Sequence, residues 1–428
     1  VSGCSINTFG FKSNTMSNTN HRSIPGKAKK KSLLLEPPSN GCVENIATER
    51  GRSSKCQSKY IFEKEFSDET DTIDGKLRKS IIARIKAEKI WAFSGDALEQ
   101  FNIPALLEIE SHILKMNLPR EEDVINLRSS MTNRDEGSNE LKIASFLDHG
   151  RFFAIFIVQN MDTKRQNAMK TDLRKKLYTG RMKNEVNVLL HINHRSKRAD
   201  LPFPRIEDYG EYGNRSYILM TRLGDSIDKL REATVKEGNW PSATANFIAR
   251  KTLAAILILH DIGFVHRDIK PSNFCIGFEG GERSKIFLID FDSTTKILED
   301  RQQSEHIQRD PSALLVKEVI DFCPIETHMK QPHSTKSDIV SWFFMTIDLF
   351  DRGILPWTNS TNLDSIPQEK RDLLEDGTSS LTSLPSYIHA IGEILSSADS
   401  DFGQIQQILD ENTDSSRPPV WIAVTTQK

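Results

Sequence analysis

His266-Arg267-Asp268-Ile269-Lys270-Pro271-Ser272-Asn273-Phe274 reads as His-Arg-Asp, one apolar residue, Lys, two spacers and Asn. Moving a phosphoryl group to a hydroxyl needs these groups close together. An Asp accepts or orients the hydroxyl proton. A Lys two residues on neutralises charge on the moving group, and an Asn three residues further can hold a divalent metal. An ordinary charged surface loop carries the same residue types, but without fixed offsets and without partners elsewhere in the chain.

Those partners exist. Ile286-Phe287-Leu288-Ile289 is a short apolar strand ending in Asp290-Phe291-Asp292. A carboxylate at such a strand end can hold Mg²⁺ against nucleotide phosphates. Asn167-Ala168-Met169-Lys170 ends a strand with a Lys, and fifteen positions later (170 to 185) Glu185 falls inside a predicted helix. A Lys held over phosphates needs a carboxylate at that kind of distance. Singly, Lys170 and Glu185 are a surface Lys and a helix Glu; with Asp268, Lys270, Asn273 and Asp290 they form an ordered set.

Outward from this set, Leu141 to Asp148, Phe152 to Gln159, Gln166 to Asp172, Ile206 to Tyr212 and Ser216 to Thr221 are short β-branched or aromatic runs with polar breaks, which predict strands. Arg174 to Asn193 predicts one helix among them. A mostly helical half follows: a helix near Ser226, a long one from Ser242 to Asp261, and a core helix from Ser337 to Phe350, apolar on every side. The pattern is α+β, with a small β-rich lobe carrying one helix and a larger helical lobe.

Ahead of this domain, residues 1–75 are rich in Ser, Asn, Thr and Lys and too poor in apolar groups to offset their ordering entropy, so disorder is expected. Lys27-Ala28-Lys29-Lys30-Lys31 fits a solvated charge run better than a nuclear-localisation signal. Residues 76–118 show helical spacing (Leu77, Ile81, Ile82, Ile85, Ile90) and 119–140 turn polar, giving a helical extension and a linker. Residues 413–428 read as a tail.

The 428 residues are 37% hydrophobic and 27% charged with a formal net charge of −2. That balance argues against bulk electrostatic binding to nucleic acid or an anionic membrane. No unbroken apolar run of about 18 residues spans a bilayer. Five scattered cysteines suggest neither metal spacing nor a disulfide framework, as expected of an intracellular protein, cytoplasmic or nuclear.

Residues 141 to about 412 resemble a eukaryotic protein kinase domain, and within it the casein kinase one family, especially its tau-tubulin-kinase-like and nematode-expanded branches. The resemblance rests on residues 266–274, Ala168-Met169-Lys170, Asn184-Glu185-Val186-Asn187-Val188-Leu189 and Met220-Thr221-Arg222-Leu223-Gly224. It rests also on Pro324-Ile325-Glu326-Thr327-His328, where most kinases have Ala-Pro-Glu, on Ser341-Trp342-Phe343-Phe344, and on Leu355-Pro356-Trp357. It implies a two-lobed kinase fold with an N-lobe over 141–221 and a C-lobe over 222–412, acting as a monomeric kinase domain. It implies ATP and Mg²⁺ as cofactors and protein substrates or scaffold partners. Asp268 is then the base, Lys270 the charge-neutralising lysine, Asn273 and Asp290 the metal ligands, and Lys170 with Glu185 the phosphate-holding pair. Met220 is the gatekeeper, Thr221 to Leu223 the hinge, and Ile157 and Ala168 pack above the base. Asp338 supports the catalytic loop from the core helix.

The sequence departs from the family at three places. The glycine-rich loop, placed at Gly150 to Ile157, keeps only Gly150, with Phe152 and Ile155 at the other glycine positions. Asp292 replaces the glycine after Asp290-Phe291. Glu318-Val319 replaces Gly-Thr in the activation segment, where Lys296, Arg301, Arg309 and Lys317 are offset by Glu299, Asp300, Glu305, Asp310 and Glu318, so a preference for acidic substrates does not carry over. Two readings follow: an ATP-dependent Ser/Thr kinase, supported by the complete charged set, and a pseudokinase scaffold or allosteric partner, supported by the departures.

Overall fold

A computed structural model describes residues 118–131, 140–150, 152–173, 180–195, 200–235, 238–297, 317–360, 362–397 and 400–423, with positions 79, 81, 82 and 106 ahead of them. The expectations for 1–75, for most of 76–117 and for the charged run 299–316 lie outside the described residues. Ile81, Ile82 and Leu106 are helical and buried.

In chain order the N-lobe comprises β1 (Val124–Asn126), β2 (Arg128–Ser129), β3 (Glu140–His149), β4 (Phe153–Asn160), β5 (Gln166–Asp172), α1 (Gly180–Arg195), β6 (Ile206–Tyr212) and β7 (Arg215–Thr221). The C-lobe follows with β8 (Leu223–Ser226), α2 (Ile227–Thr234), α3 (Ser242–Ile262), β9 (Phe264–Val265), β10 (Phe274–Gly277), β11 (Ile286–Leu288) and β12 (Thr295–Lys296). It ends with α4 (Lys317–Phe322), α5 (Ile325–Met329), α6 (Thr335–Phe350), α7 (Ile366–Glu375), α8 (Ser386–Ser396), α9 (Phe402–Glu411) and α10 (Val420–Ala423). The fold is the two-lobed α+β architecture that the alternation of patterns predicts.

The sheet differs from expectation at its edges. Its order is β1-β3-β4-β5-β7-β6-β2. The two edge strands are separated in sequence by Leu127 alone. Val124–Asn126 pairs with β3, and Arg128–Ser129 pairs with β6. The stretch read as a polar linker therefore adds a short strand to each edge of the sheet, covering the outer sides of β3 and β6. Ile125 and Leu127 point inward, onto Leu141, Ile143, Phe156, Val158, Met169 and Tyr217. Gly210 permits the close approach of β2 to β6, since a Cβ there would lie 1.9 Å from the Arg128 carbonyl oxygen. Strands this short carry almost no pattern; the alternation Ile125-Asn126-Leu127 was the only signal.

The C-lobe core is built on α3 and α6. By length and composition α3 could cross a membrane, with 21 residues and a mean hydropathy of 1.3. It is instead a core helix: Ala249, Leu253 and Ile256 are fully buried, and Trp342 Nε1 of α6 donates to Ala249 O and Thr252 Oγ1. The C-terminal end differs from expectation too. Trp421 of α10 is buried, meets Trp240 edge-on at 5.7 Å and donates Nε1 to Arg283 O. The end of the described chain is thus part of the C-lobe core, because Trp421, flanked by Val420 and Ile422, gives a short apolar run after the polar residues 413–417.

Candidate active site

The loop 266–274 runs from β9 into a 3₁₀ turn (Pro271–Asn273) and then β10. Its backbone is held from α6. The Asp338 carboxylate accepts from the His266 N–H at 2.7 Å and the Arg267 N–H at 2.8 Å, and meets His260 Nε2 at 2.9 Å. Arg267 sits at φ 74°, a left-handed conformation that a non-glycine residue holds only under such constraint. His266 places Nε2 3.0 Å from Ile289 O, while its Nδ1 accepts from the Asp268 N–H at 3.3 Å, which assigns the proton to Nε2. Loop and β11 are thereby joined.

On this frame the expected residues meet. Asn273 Nδ2 donates to Asp268 O at 2.7 Å and to Asp268 Oδ2 at 3.1 Å, and Lys270 Nζ lies 3.1 Å from the same Oδ2. Lys170 Nζ bridges Glu185 Oε2 and Asp290 Oδ1 at 2.5 Å each. Burial opposes the Lys170 charge, but Asp290 and Glu185 outweigh it and hold the ammonium above the usual lysine range. Burial also acts on Asp290, yet Lys170 draws its carboxyl below the ordinary value, while burial pushes Glu185 up to about 7 against the pull of Lys170.

The face on which the expected cofactor-binding residues lie is set by strand register. Ile157 pairs with Ala168, Ala168 with Met220, and Ile155 with Lys170, so these side chains share one face. The Thr221 N–H is taken by Arg205 O, and Leu223 opens β8 against Gly277. Gly150 donates its N–H to Phe153 O at 2.9 Å, closing the β3–β4 turn.

Here the expected loop placement needs correcting. The turn ends at Phe152, and Ile155 is a mid-strand residue opposite Asp148 and Lys170, not a loop position. The turn itself falls within the stretch read as the loop, beginning at Gly150, and β4 takes over the rest of that stretch from Phe153 onward. The residue in the critical place is Phe153. It is buried, and its ring centre lies 4.4 Å from Lys170 Nζ.

Asp292 also has a definite role. It lies in a 3₁₀ turn (Phe291–Ser293) at ordinary φ, so glycine's freedom is not used there. Its carboxylate turns to Arg181 at 3.2 Å and accepts from Ser293 Oγ at 2.8 Å. Burial, then the Asp290 charge, raise its pKa above the ordinary value. Val319 lines a cleft with Arg267, Asp268, Ile269, Lys270, Cys323 and Ser341, offering no hydroxyl to either catalytic residue. Sequence reasoning missed Arg181 and Lys370, and it quoted Asn184 in a motif without a role, where the structure has its amide donating to the carbonyls of Phe291, Asp292 and Thr294. Arg181 had a signal: it sits four residues before Glu185, hence on the same face of α1. Lys370 had none, being an ordinary helix lysine whose burial only the fold produces.

The protein kinase domain family matches residues 142–398. The chain belongs to that family. Its relatives include the Caenorhabditis elegans proteins named "Putative serine/threonine-protein kinase ZK507.1" and "Serine/threonine-protein kinase spe-6". The first is 29% identical over 207 residues, 48% of this chain and 61% of that protein. The second is 28% identical over 218 residues, 51% of this chain and 55% of that protein. A "Probable casein kinase I homolog" of Encephalitozoon cuniculi is 30% identical over 168 residues, 39% of this chain and 50% of that protein. The chain therefore spans about half to three-fifths of the length of these relatives. Membership in the kinase family, with casein kinase one homologues among the relatives, agrees with the resemblance read from the motifs.

Proposed function

We propose that this chain is a protein serine/threonine kinase, transferring the terminal phosphoryl group of ATP to protein hydroxyls, with its catalytic unit over 141–412. One observation carries the reading: Asp268, Lys270 and Asn273 meet on a loop anchored by Asp338, Lys170 bridges Glu185 and Asp290, and the Ile289 N–H donates to Asn273 O to join the two groups. Asp268 accepts or orients the substrate proton. Lys270 sits beside it to neutralise charge on the moving group, and its position favours Ser/Thr over Tyr substrates. Lys170, steadied by Glu185, holds the phosphates, and Met220, Thr221, Leu223, Ile157 and Ala168 frame the adenine, with Gly150 at the turn.

Asn273 uses its amide hydrogens on Asp268, which leaves its carbonyl oxygen for a hard cation. With the Asp290 carboxylate this is an oxygen donor set that suits Mg²⁺. The metal, when bound, neutralises phosphate charge. Substrates are proteins. The two described cysteines, Cys275 and Cys323, are free thiols, in keeping with a reducing intracellular compartment.

A second reading is favoured by Phe153, whose ring lies against the lysine meant for the phosphates. On that reading the domain is a pseudokinase scaffold. The full chain incubated with Mg²⁺ and γ-labelled ATP is expected to phosphorylate itself or casein, and Asp268→Asn to abolish the label. No label, together with no thermal shift on adding Mg-ATP, overturns the kinase reading and leaves the scaffold.

A further inference from the structure

Three segments around the Lys170–Glu185 pair converge on one guanidinium. Arg181, in the first turn of α1, lies 4.7 Å from the centre of the Phe152 ring at the tip of the β3–β4 turn. The same group reaches Asp292 Oδ2 and Ser293 Oγ at 3.2 Å each. One turn on, Asn184 donates Nδ2 to the carbonyls of Phe291, Asp292 and Thr294, at 3.3, 3.1 and 2.8 Å. Asp292 is buried and its neighbour Asp290 is already engaged by Lys170. A second buried carboxylate so close to Asp290 would be costly without a cation of its own.

We propose that Arg181 and Asp292 are a built-in clasp: a pair of positioning residues that fixes α1 and the β3–β4 turn so that Glu185 stays on Lys170 without help from a bound nucleotide. The aspartate in place of a glycine is, on this view, the receptor for Arg181. The geometry explains the direction of the effect. Glu185 lies four residues after Arg181, about one helical turn along the same face. Any swing of the α1 start away from Asp292 carries Glu185 off Lys170. The Phe152 ring ties the turn to the same point, where glycine backbones would otherwise wait for phosphate contacts. Cation, carboxylate and ring come from three separate stretches of chain, so none of the three contacts follows from local sequence.

The clasp concerns conformation and stands apart from phosphoryl transfer. Its test is hydrogen exchange, read by mass spectrometry, on the full chain without nucleotide. Arg181→Glu or Asp292→Lys puts two like charges in contact. Each is expected to speed exchange of the α1 amides by about tenfold or more, while the α6 amides keep wild-type protection. The double variant Arg181→Glu/Asp292→Lys restores opposite charges and is expected to return α1 to within about threefold of wild type. Should either reversal fail to fold, Arg181→Gln and Asp292→Asn serve, with a smaller acceleration in the same segment. Unchanged α1 exchange in the single variants overturns the proposal, as does a double variant no slower than the worse single with α6 intact. Failure of the kinase reading is seen separately, as absent label incorporation with α1 protection following the pattern above.

Discussion

Asp338→Asn probes the frame on which the site stands. One carboxylate oxygen meets the His266 N–H and His260 Nε2, and the other meets the Arg267 N–H, at 2.7, 2.9 and 2.8 Å. The side chain is 1% exposed, so water cannot substitute. Asn has the same shape but only one oxygen. Whichever way it turns, at least one buried donor faces an NH₂ group. A buried donor left unmade costs about 1–3 kcal/mol, and each remaining bond weakened from charged to neutral about 1 kcal/mol. The sum is about 3–5 kcal/mol. Release of Arg267 from φ 74° offsets about 1–2 kcal/mol of it. A net loss of about 1–4 kcal/mol lowers the melting temperature by roughly 2–15 °C in a domain of this size. Thermal unfolding of the full chain, followed by circular dichroism at neutral pH, measures it.

The same variant carries a pH signature. Burial opposes the Asp338 charge, but the His260 hydrogen bond, the His260 and His266 charges and the Arg267 N–H outweigh it, so the folded carboxyl titrates below its ordinary 3.8. A depressed folded value means stability that is present above about pH 4 and is lost as pH falls through the folded value. The gap between wild type and Asp338→Asn is therefore widest near neutrality and closes in acid. A variant melting within about 1 °C of wild type at neutral pH refutes the reasoning. So does a gap that widens below pH 3.8.

Three further outcomes follow from other contacts. Phe153→Ala removes the ring against Lys170; it lowers stability by about 3–5 kcal/mol yet enlarges the thermal shift on adding Mg-ATP, and an unchanged or smaller shift counts against the ring as an obstacle. Gly210→Ala pushes a methyl into the Arg128 carbonyl and costs about 1–3 kcal/mol, with hydrogen exchange accelerated in 206–212; wild-type exchange there denies that the β2–β6 approach is tight. Lys370→Met leaves the carbonyls of Ile320 and Cys323, bound by Nζ at 2.5 and 2.6 Å, without that donor. The loss is about 2–5 kcal/mol, and the KM for a protein substrate rises more than the KM for ATP because the loosened segment borders the Asp268 cleft; urea unfolding and steady-state kinetics measure the two parts.

Much of the site was legible along the chain because its chemistry is written in short fixed offsets. The spacing within 266–274 reflects one loop that must present three side chains at one point. The interval from Lys170 to Glu185 reflects one strand and one helix packed together. Core elements were legible for a related reason. The helix 335–350 is apolar all round, so burial is its only stable environment. The glycine-turn register was not legible. It depends on where β4 begins, and two adjacent phenylalanines serve a turn or a strand equally well.

By itself the sequence determined the two-lobed α+β class, the identity of the charged groups and the order in which they occur, because hydrophobic period and residue type act locally. Tertiary structure alone decided the rest. It decided that 124–129 supplies both edge strands of the sheet, since two strands of two and three residues gain their hydrogen bonds only from neighbours elsewhere in the chain. It decided that Phe153 joins Ile155 on the face of Lys170 and lays its ring against the ammonium, since strand register is a property of the pair. It decided that Asp292 answers Arg181, 111 residues away. No local pattern reports which cation a buried carboxylate will find; only the packing that removes water from both makes them partners.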